Sequence, residues 1–406
     1  MKHTNLRFPK RSPRLPGRAW LAACACALLL ACGSAERTAE TAPDTWRYSR
    51  TLHFNTTPTG ANVAGDVLNY PVAVALNSGN FDFSQAKPDG SDVRFLESAG
   101  GPALAHSIEL WDPAGNAALL WVKVGQIFGN RDSQSIVMEW GNPTAAATSD
   151  PHAVFTQADG FVGVWHLGDP SGNEADGYKD STATEAHATG VNLTAETQAD
   201  SLLGKGVALK NTGNQWIQIA GDKRKHFDLI NQITFSIWAK ADSYPNKGNP
   251  AIRALPGYET MFAKGDSSWR IQKFGFRDRH NPPSDLTEIC VEQGTPKADL
   301  CVVGTTDMLL GQWYHFTGVH DHPRALYYVN GVFEAEETFP SEWVSEDWPV
   351  GIGNQSQFPD RGRSWDGMLD EARILNIPKD EHWAKLDYES QRPGQQFLTF
   401  GEVQGP

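Results

Sequence analysis

Residues 313–332 read WYHFTGVHDHPRALYYVNGV. Trp313–His320 is long enough for one strand, and the following HDHPR is a turn in which Pro323 blocks further pairing. ALYYVN supplies the partner strand. Asn330-Gly331 then fits a two-residue type I′ hairpin turn, because both residues tolerate positive φ. The stretch is also rich in histidine, which raises the question of catalysis. His315 and His320 are five apart, so a regular strand points them to opposite faces, and the neighbours His320 and Asp321 likewise diverge. The spacing makes no His–Asp pair. The segment is the frame of a β-sheet.

The same grammar extends in both directions. Before residue 160, YPVAVAL, SDVRFLE, AHSIELW, ALLWVKV and QSIVMEWGN are short runs rich in Val, Ile, Leu and Trp, separated by the turn sequences KPDG, DPAGN and FGNRD. From residue 161, FVGVWHLGD, GVALKN, QWIQIAG, ITFSIWAKAD, ETMFAKGD, PVGIGN and WDGMLDEARIL continue the pattern. No long stretch carries the 3.6-residue helical period. The expectation is an all-β protein of two β-sandwich domains, with a leader over 1–31, a linker over 32–45 and the domains over 46–160 and 161–406.

Two resemblances sharpen this. WRYSRTLHF, DGSDVRF, IELWD, LLWVKV and EWGNPTA, in that order, resemble a bacterial family of unknown function, DUF2341, which implies architecture and no chemistry. FSIWAK, WYHFTGV, LYYVNG, GIGN and DGMLDEARI resemble the laminin-G-like, concanavalin A-like jelly roll. That resemblance implies the fold of the second domain, a His315 that is packed or bonded within its sheet, and a function class no narrower than lectins, binding modules and glycanases.

The leader states an address. Lys2, Arg7, Lys10, Arg11, Arg14 and Arg18 precede the apolar run AWLAACACALLLAC. A basic region before a short apolar segment reads as a secretory signal. LLAC followed by GS resembles a bacterial lipobox, which implies lipidation at Cys32; Ser34 by the same family's sorting rule implies the outer membrane or cell surface. The chain has 48 acidic residues against 35 basic ones, six of the latter in the leader. Such a protein is repelled by nucleic acid backbones, so nucleic acid is excluded as a partner. With Cys24 and Cys26 lost and Cys32 lipidated, Cys290 and Cys301 remain around a Gly-Thr-Pro turn. In an oxidising compartment they read as a disulfide closing a hairpin.

Catalytic constellations are weak. Glycanases need two carboxylates about 5–9.5 Å apart. In WDGMLDE, Asp366 and Asp370 share a face but lie about 13 Å apart, and Asp370 and Glu371 are expected on opposite faces. A loop with Asp169, Asn173, Asp176 and Asp180 offers oxygen ligands for one structural Ca²⁺, with Asp370 as the partner that the jelly-roll resemblance implies. For sugar binding, an aromatic face must meet C–H groups while polar groups read hydroxyls. Trp269, Trp343, Trp348 and Trp365 are the aromatic candidates; Arg270, Arg277 and Arg279, with Lys273, suit an acidic polysaccharide. The leading expectation is a lipid-anchored protein that binds a polysaccharide or a glycosylated surface partner without catalysis, so no catalytic residue is assigned. The alternative is a polysaccharide-degrading hydrolase or lyase with a dyad assembled from separate strands. A structural or adhesion protein of the envelope is the third class.

Overall fold

A computed structural model describes residues 45–245, 258–274, 285–294 and 297–406. The expected leader, the lipidation site Cys32, Arg277 and Arg279 lie outside the described residues. Residues 313–332 behave as the sequence requires. Trp313–Asp321 pairs antiparallel with Gln232–Ala241 on one side and with Arg324–Val329 on the other. Asn330 and Gly331 take φ of +52° and +67°, joining Arg324–Val329 to Val332–Thr338. His315 and His320 do point to opposite faces. His320 packs edge-on to Phe235, inside the sandwich, and His315 packs against Trp238, outside it.

These strands belong to a sheet that runs Val332–Thr338, Arg324–Val329, Trp313–Asp321, Gln232–Ala241, Gly367–Leu375, Lys205–Leu209 and Gln198–Asp200, with Phe161–Trp165 also on Gly367–Leu375. A second sheet faces it, ordered Ala298–Val303, Thr287–Gln293, Arg270–Lys273, Thr260–Lys264, Val350–Ile352, Trp216–Ile219 and Thr189–Val191. Between them Phe235, Ile237, Phe262, Ile271, Ile289, Phe316 and Ile374 fill one core. This is the expected all-β jelly roll.

The first module is also two-layered. One sheet is Leu398–Phe400, Tyr48–Phe54, Gln134–Trp140 and Arg94–Leu96; the other is Val67–Asn77, Ala117–Ile127 and His106–Asp112. Its core takes in Leu52, Tyr70, Val72, Trp121 and Met138, but also Phe161, Val164, Leu375, Trp383, Leu386 and Leu398 from beyond residue 160. The first jelly-roll sheet is therefore covered on both faces, which explains why every residue of GMLDEARIL is buried instead of every second one. The cover includes a helix, Glu381–Gln391, capped by Asp380, whose carboxylate accepts from Trp383 N at 2.9 Å. No helix was expected here. Its buried face mixes Trp383, Ala384 and Leu386 with Asp387, Ser390 and Gln391, so the apolar stripe by which a helix is recognised is broken.

Cys290 and Cys301 are bonded, as expected, across the antiparallel pair Thr287–Gln293 and Ala298–Val303. The bridge spans 11 residues of sequence. Its removal in the double variant C290S/C301S is expected to lower unfolding free energy by roughly 3 kcal/mol through restored chain entropy. Urea titration measures this; equal midpoints and slopes would show that the hairpin ladder alone confines the loop.

Candidate functional site

Two polar sites stand out, one on the outer face of the second jelly-roll sheet and one where the modules meet. On the sheet, alternate residues of Arg270–Lys273 point away from the core. Arg270 and Gln272 therefore stand beside Cys290 and Glu288 of the next strand. Arg270, Gln272 and Glu288, with Asp266, Asp299 and Arg363, surround a cavity of about 530 Å³ whose walls include Tyr258, Phe274 and Phe339. Gln272 Nε2 donates to Glu288 Oε1 at 2.7 Å. Arg270 Nη2 lies 3.0 Å from Asp299 Oδ1, and Arg363 Nη1 pairs with Asp266. The Arg363 guanidinium also sits over the Tyr258 ring at 5.3 Å. Burial pushes the Glu288 carboxyl up to about 7, against the pull of Gln272 and Arg270. Gln272 Oε1, Arg270 Nε and Arg363 Nε have no hydrogen-bond partner among the described residues.

Of the expected ligand-binding residues, Arg270 reaches this cavity. The tryptophans do not. Trp269, Trp343 and Trp365 are 2%, 2% and 1% exposed and belong to the sandwich core. Trp269 Nε1 donates to Phe227 O, and Trp343 Nε1 to Phe339 O. Large rings at strand ends gain more from full burial than from lining a rim, so these three close the sandwich. Trp348 is half-buried and donates to Glu346 at 3.0 Å. The aromatic walls are tyrosine and phenylalanine instead.

The expected calcium ligands are not brought together either. Asp180 closes its own turn, accepting from Val164 N, Thr182 N and Ala186 N and from two threonine hydroxyls. Asp169 accepts from Lys179 N. Asp370 accepts from Ser201 Oγ and Leu203 N. Asp180 and Asp370 are buried; local donors engage both Asp180 oxygens, whereas Asp370 takes both of its donors on Oδ2 and its Oδ1 has no hydrogen-bond partner among the described residues. The three are not among the described groups whose ligand atoms lie within 4.8 Å of one another.

The second site overturns the expectation that the acids of LDE face apart. Pairing of Gly367–Leu375 with Gln232–Ala241 shifts between Ser236 and Trp238, and Glu371 has φ of +50°. This is a β-bulge. It places both Asp370 and Glu371 outside the sandwich, while Leu369 and Ala372 on either side face the core. Glu371 thereby meets His166, just past Phe161–Trp165, with Nδ1 to Oε1 at 2.7 Å. A second bulge, between Ile108 and Leu110, turns Glu109 of the first module toward the same ring, at 3.3 Å. Trp121 Nε1 donates to Glu109 Oε2 at 2.6 Å and stacks on His166 with centroids 5.6 Å apart. Arg373 donates to Glu371 Oε2 at 2.8 Å and to Asp387 Oδ1 at 2.9 Å, and Asp387 lies 3.4 Å from His315 Nε2.

Burial opposes the charged imidazole of His166, but Glu371 and Glu109 outweigh it and push it up to about 9. Burial also works against the Glu371 charge, yet His166 and Arg373 hold that carboxyl below its usual range. Burial raises Glu109, and burial with the Glu371 charge raises Asp370. His166 and Glu109 line a cavity of about 500 Å³ that also takes in Asp169, Lys179, Gln198 and Lys205. Glu109 falls within IELWD and His166 within FVGVWHLGD, segments that read only as strands, and no signal in the sequence marks the two bulges.

Known proteins place the two modules. No curated protein matches the chain. Among solved structures, the chain is similar to the binding domain of Paraclostridial Mosquitocidal Protein 1, at 12% identity and a TM-score of 0.43. That match covers 58% of this chain and 53%, about half, of the other. It is also similar to Domain 4 of AbnA, an extracellular arabinanase from Geobacillus stearothermophilus solved with arabinotriose, at 17% identity and a TM-score of 0.38, covering 57% and 98%. A SAP-like pentraxin from Limulus polyphemus matches at 14% identity and a TM-score of 0.30, covering 44% and 83%. The family model for the domain of unknown function DUF2341 matches residues 89–168, and that for the concanavalin A-like lectin/glucanases superfamily matches 211–383. The chain therefore carries a DUF2341 segment followed in series by a concanavalin A-like lectin/glucanase segment.

Proposed function

We propose that this chain binds a saccharide in the sheet-face cavity, and that it does so as an exported protein anchored through Cys32. One observation carries the reading: Arg270, Gln272 and Glu288 project from neighbouring strands into one cavity walled by Tyr258, Phe274 and Phe339. Rigid strands fix the polar groups, and aromatic walls offer faces to sugar C–H groups. Two arginines are balanced by Asp266 and Asp299, and Glu288 has a raised proton affinity. A neutral polysaccharide suits that balance better than an acidic one. Within the strand Thr287–Gln293, Glu288 and Glu292 are about 13 Å apart, wider than either glycosidase spacing, while the acids that share the cavity with Glu288, Asp266 and Asp299, are engaged by Arg363 and Arg270.

Affinity electrophoresis through a panel of neutral and acidic polysaccharides tests this. A neutral polysaccharide is expected to retard the chain, and Gln272→Ala to weaken binding by about threefold to tenfold, the worth of one hydrogen bond. Retardation by acidic polymers alone would overturn the charge argument, and no retardation by any polymer would overturn the saccharide reading.

A further inference from the structure

We propose that Glu109, His166 and Glu371 form a binding site for one divalent d-block cation, with zinc as the metal its donors suit best. The three side chains come from three separate strands or their ends, and one ligand atom from each lies within 4.8 Å of the others. Around a tetrahedral zinc with bonds near 2.0–2.1 Å, ligand atoms are about 3.3 Å from one another. His166 Nδ1 already stands 3.3 Å from Glu109 Oε2 and 2.7 Å from Glu371 Oε1. Two of the three separations are thus within about 0.6 Å of that geometry, and the third lies within 4.8 Å.

The surroundings support the same assignment. Arg373 occupies Glu371 Oε2 and so directs Oε1 toward His166, an orienting contact from behind of the kind that is a regular part of metal sites. Trp121 Nε1 donates to Glu109 Oε2, the oxygen that faces His166, and so fixes where that carboxylate stands. Two independent bulges aim the carboxylates at one imidazole, a device that strands use to redirect side chains next to functional sites. His166 is 12% and Glu109 10% exposed, both toward the 500 Å³ cavity, so a fourth position stays open to water or a small polar ligand. Calcium fits poorly, since it wants six to eight oxygens and the set has a nitrogen and two carboxylates. Imidazole with carboxylate suits zinc and its d-block neighbours. This cavity shares no lining residue with the sheet-face cavity, so the site stands apart from saccharide binding.

The test is a zinc titration of the untagged full chain, stripped with chelator, against a competing chromophoric chelator. One zinc per chain is expected, with micromolar or tighter affinity. Glu109→Gln and His166→Ala should each weaken it by at least about tenfold, whereas Glu337→Gln on the exposed edge strand should not. Zinc K-edge absorption of the wild-type chain should show imidazole scattering within a nitrogen–oxygen shell. The proposal is overturned if the wild type takes up no zinc, if the shell is oxygen only, or if folded E109Q and H166A bind as tightly as wild type. Should both variants unfold, the wild-type absorption spectrum decides by itself. Calcium uptake with no zinc uptake also overturns it.

Discussion

Arg373→Met is expected to destabilise the chain by about 3–5 kcal/mol, the cost of leaving buried charges without their partner. Arg373 is 0% exposed. Its guanidinium bonds Glu371 and Asp387, both buried, and lies 4.5 Å over the Trp121 ring. It thus joins the jelly-roll sheet, the capping helix and the first module at one point. Lysine is no substitute, because it lacks the planar fork that reaches two carboxylates and an aromatic face together. The effect is specific to charge imbalance. Combining R373M with Glu371→Gln and Asp387→Asn should recover part of the loss, since neither carboxylate is then stranded, while His166 loses the Glu371 charge and keeps that of Glu109. Urea unfolding of the single and triple variants measures both. A single-variant loss below about 1 kcal/mol would mean that water reaches the cluster.

Acid should act through two neutral buried histidines. His320 is 2% exposed, between Phe235 and Trp343, and burial pushes it down to about 3. His106 is 3% exposed, and burial with nearby Arg94 pushes it down to about 4. Both are depressed relative to the unfolded chain. Their contribution is therefore intact above about pH 6.5 and is lost as pH falls toward 4 and 3, when the unfolded chain takes up protons that the folded one refuses. Between pH 7 and 4.5 each accounts for a loss of about 2–3 kcal/mol. Glu288 works the other way: its carboxyl is raised to about 7, so its burial penalty is relieved over the same window. The clean measurement is a difference. His320→Phe should gain about 2–3 kcal/mol on wild type between pH 7 and 4.5. A pH-independent difference between the two proteins would refute the assignment.

Much of the frame was readable from residue types alone. Asn330-Gly331 fixed a hairpin, five-residue spacing put His315 and His320 on opposite faces, and Cys290 with Cys301 stapled adjacent strands. Those inferences rest on local turn chemistry, on a strand that pairs without a register shift at Trp313–Asp321, and on two cysteines in adjacent strands. The module junction was not readable, because its geometry comes from bulges. A bulge adds one residue to one strand and leaves composition unchanged, so LDEAR reads as strict alternation while Asp370 and Glu371 turn to one face. The tryptophans misled for a related reason. A ring at the end of a strand can line a rim or plug a core, and only the course of the partner sheet decides which. Arg270 does reach the cavity, but as a buried cation paired with Asp299 and Asp266 and not as the free charge for an acidic polysaccharide that the sequence suggested.

Leu398–Phe400 completes the first module by pairing with Tyr48–Phe54. During synthesis, then, the opening sheet waits with an open edge until nearly the whole described chain has left the ribosome. Its exposed ladder is vulnerable to mispairing throughout that interval, and a protease nick near residue 395 would injure the half of the protein most distant from it along the chain.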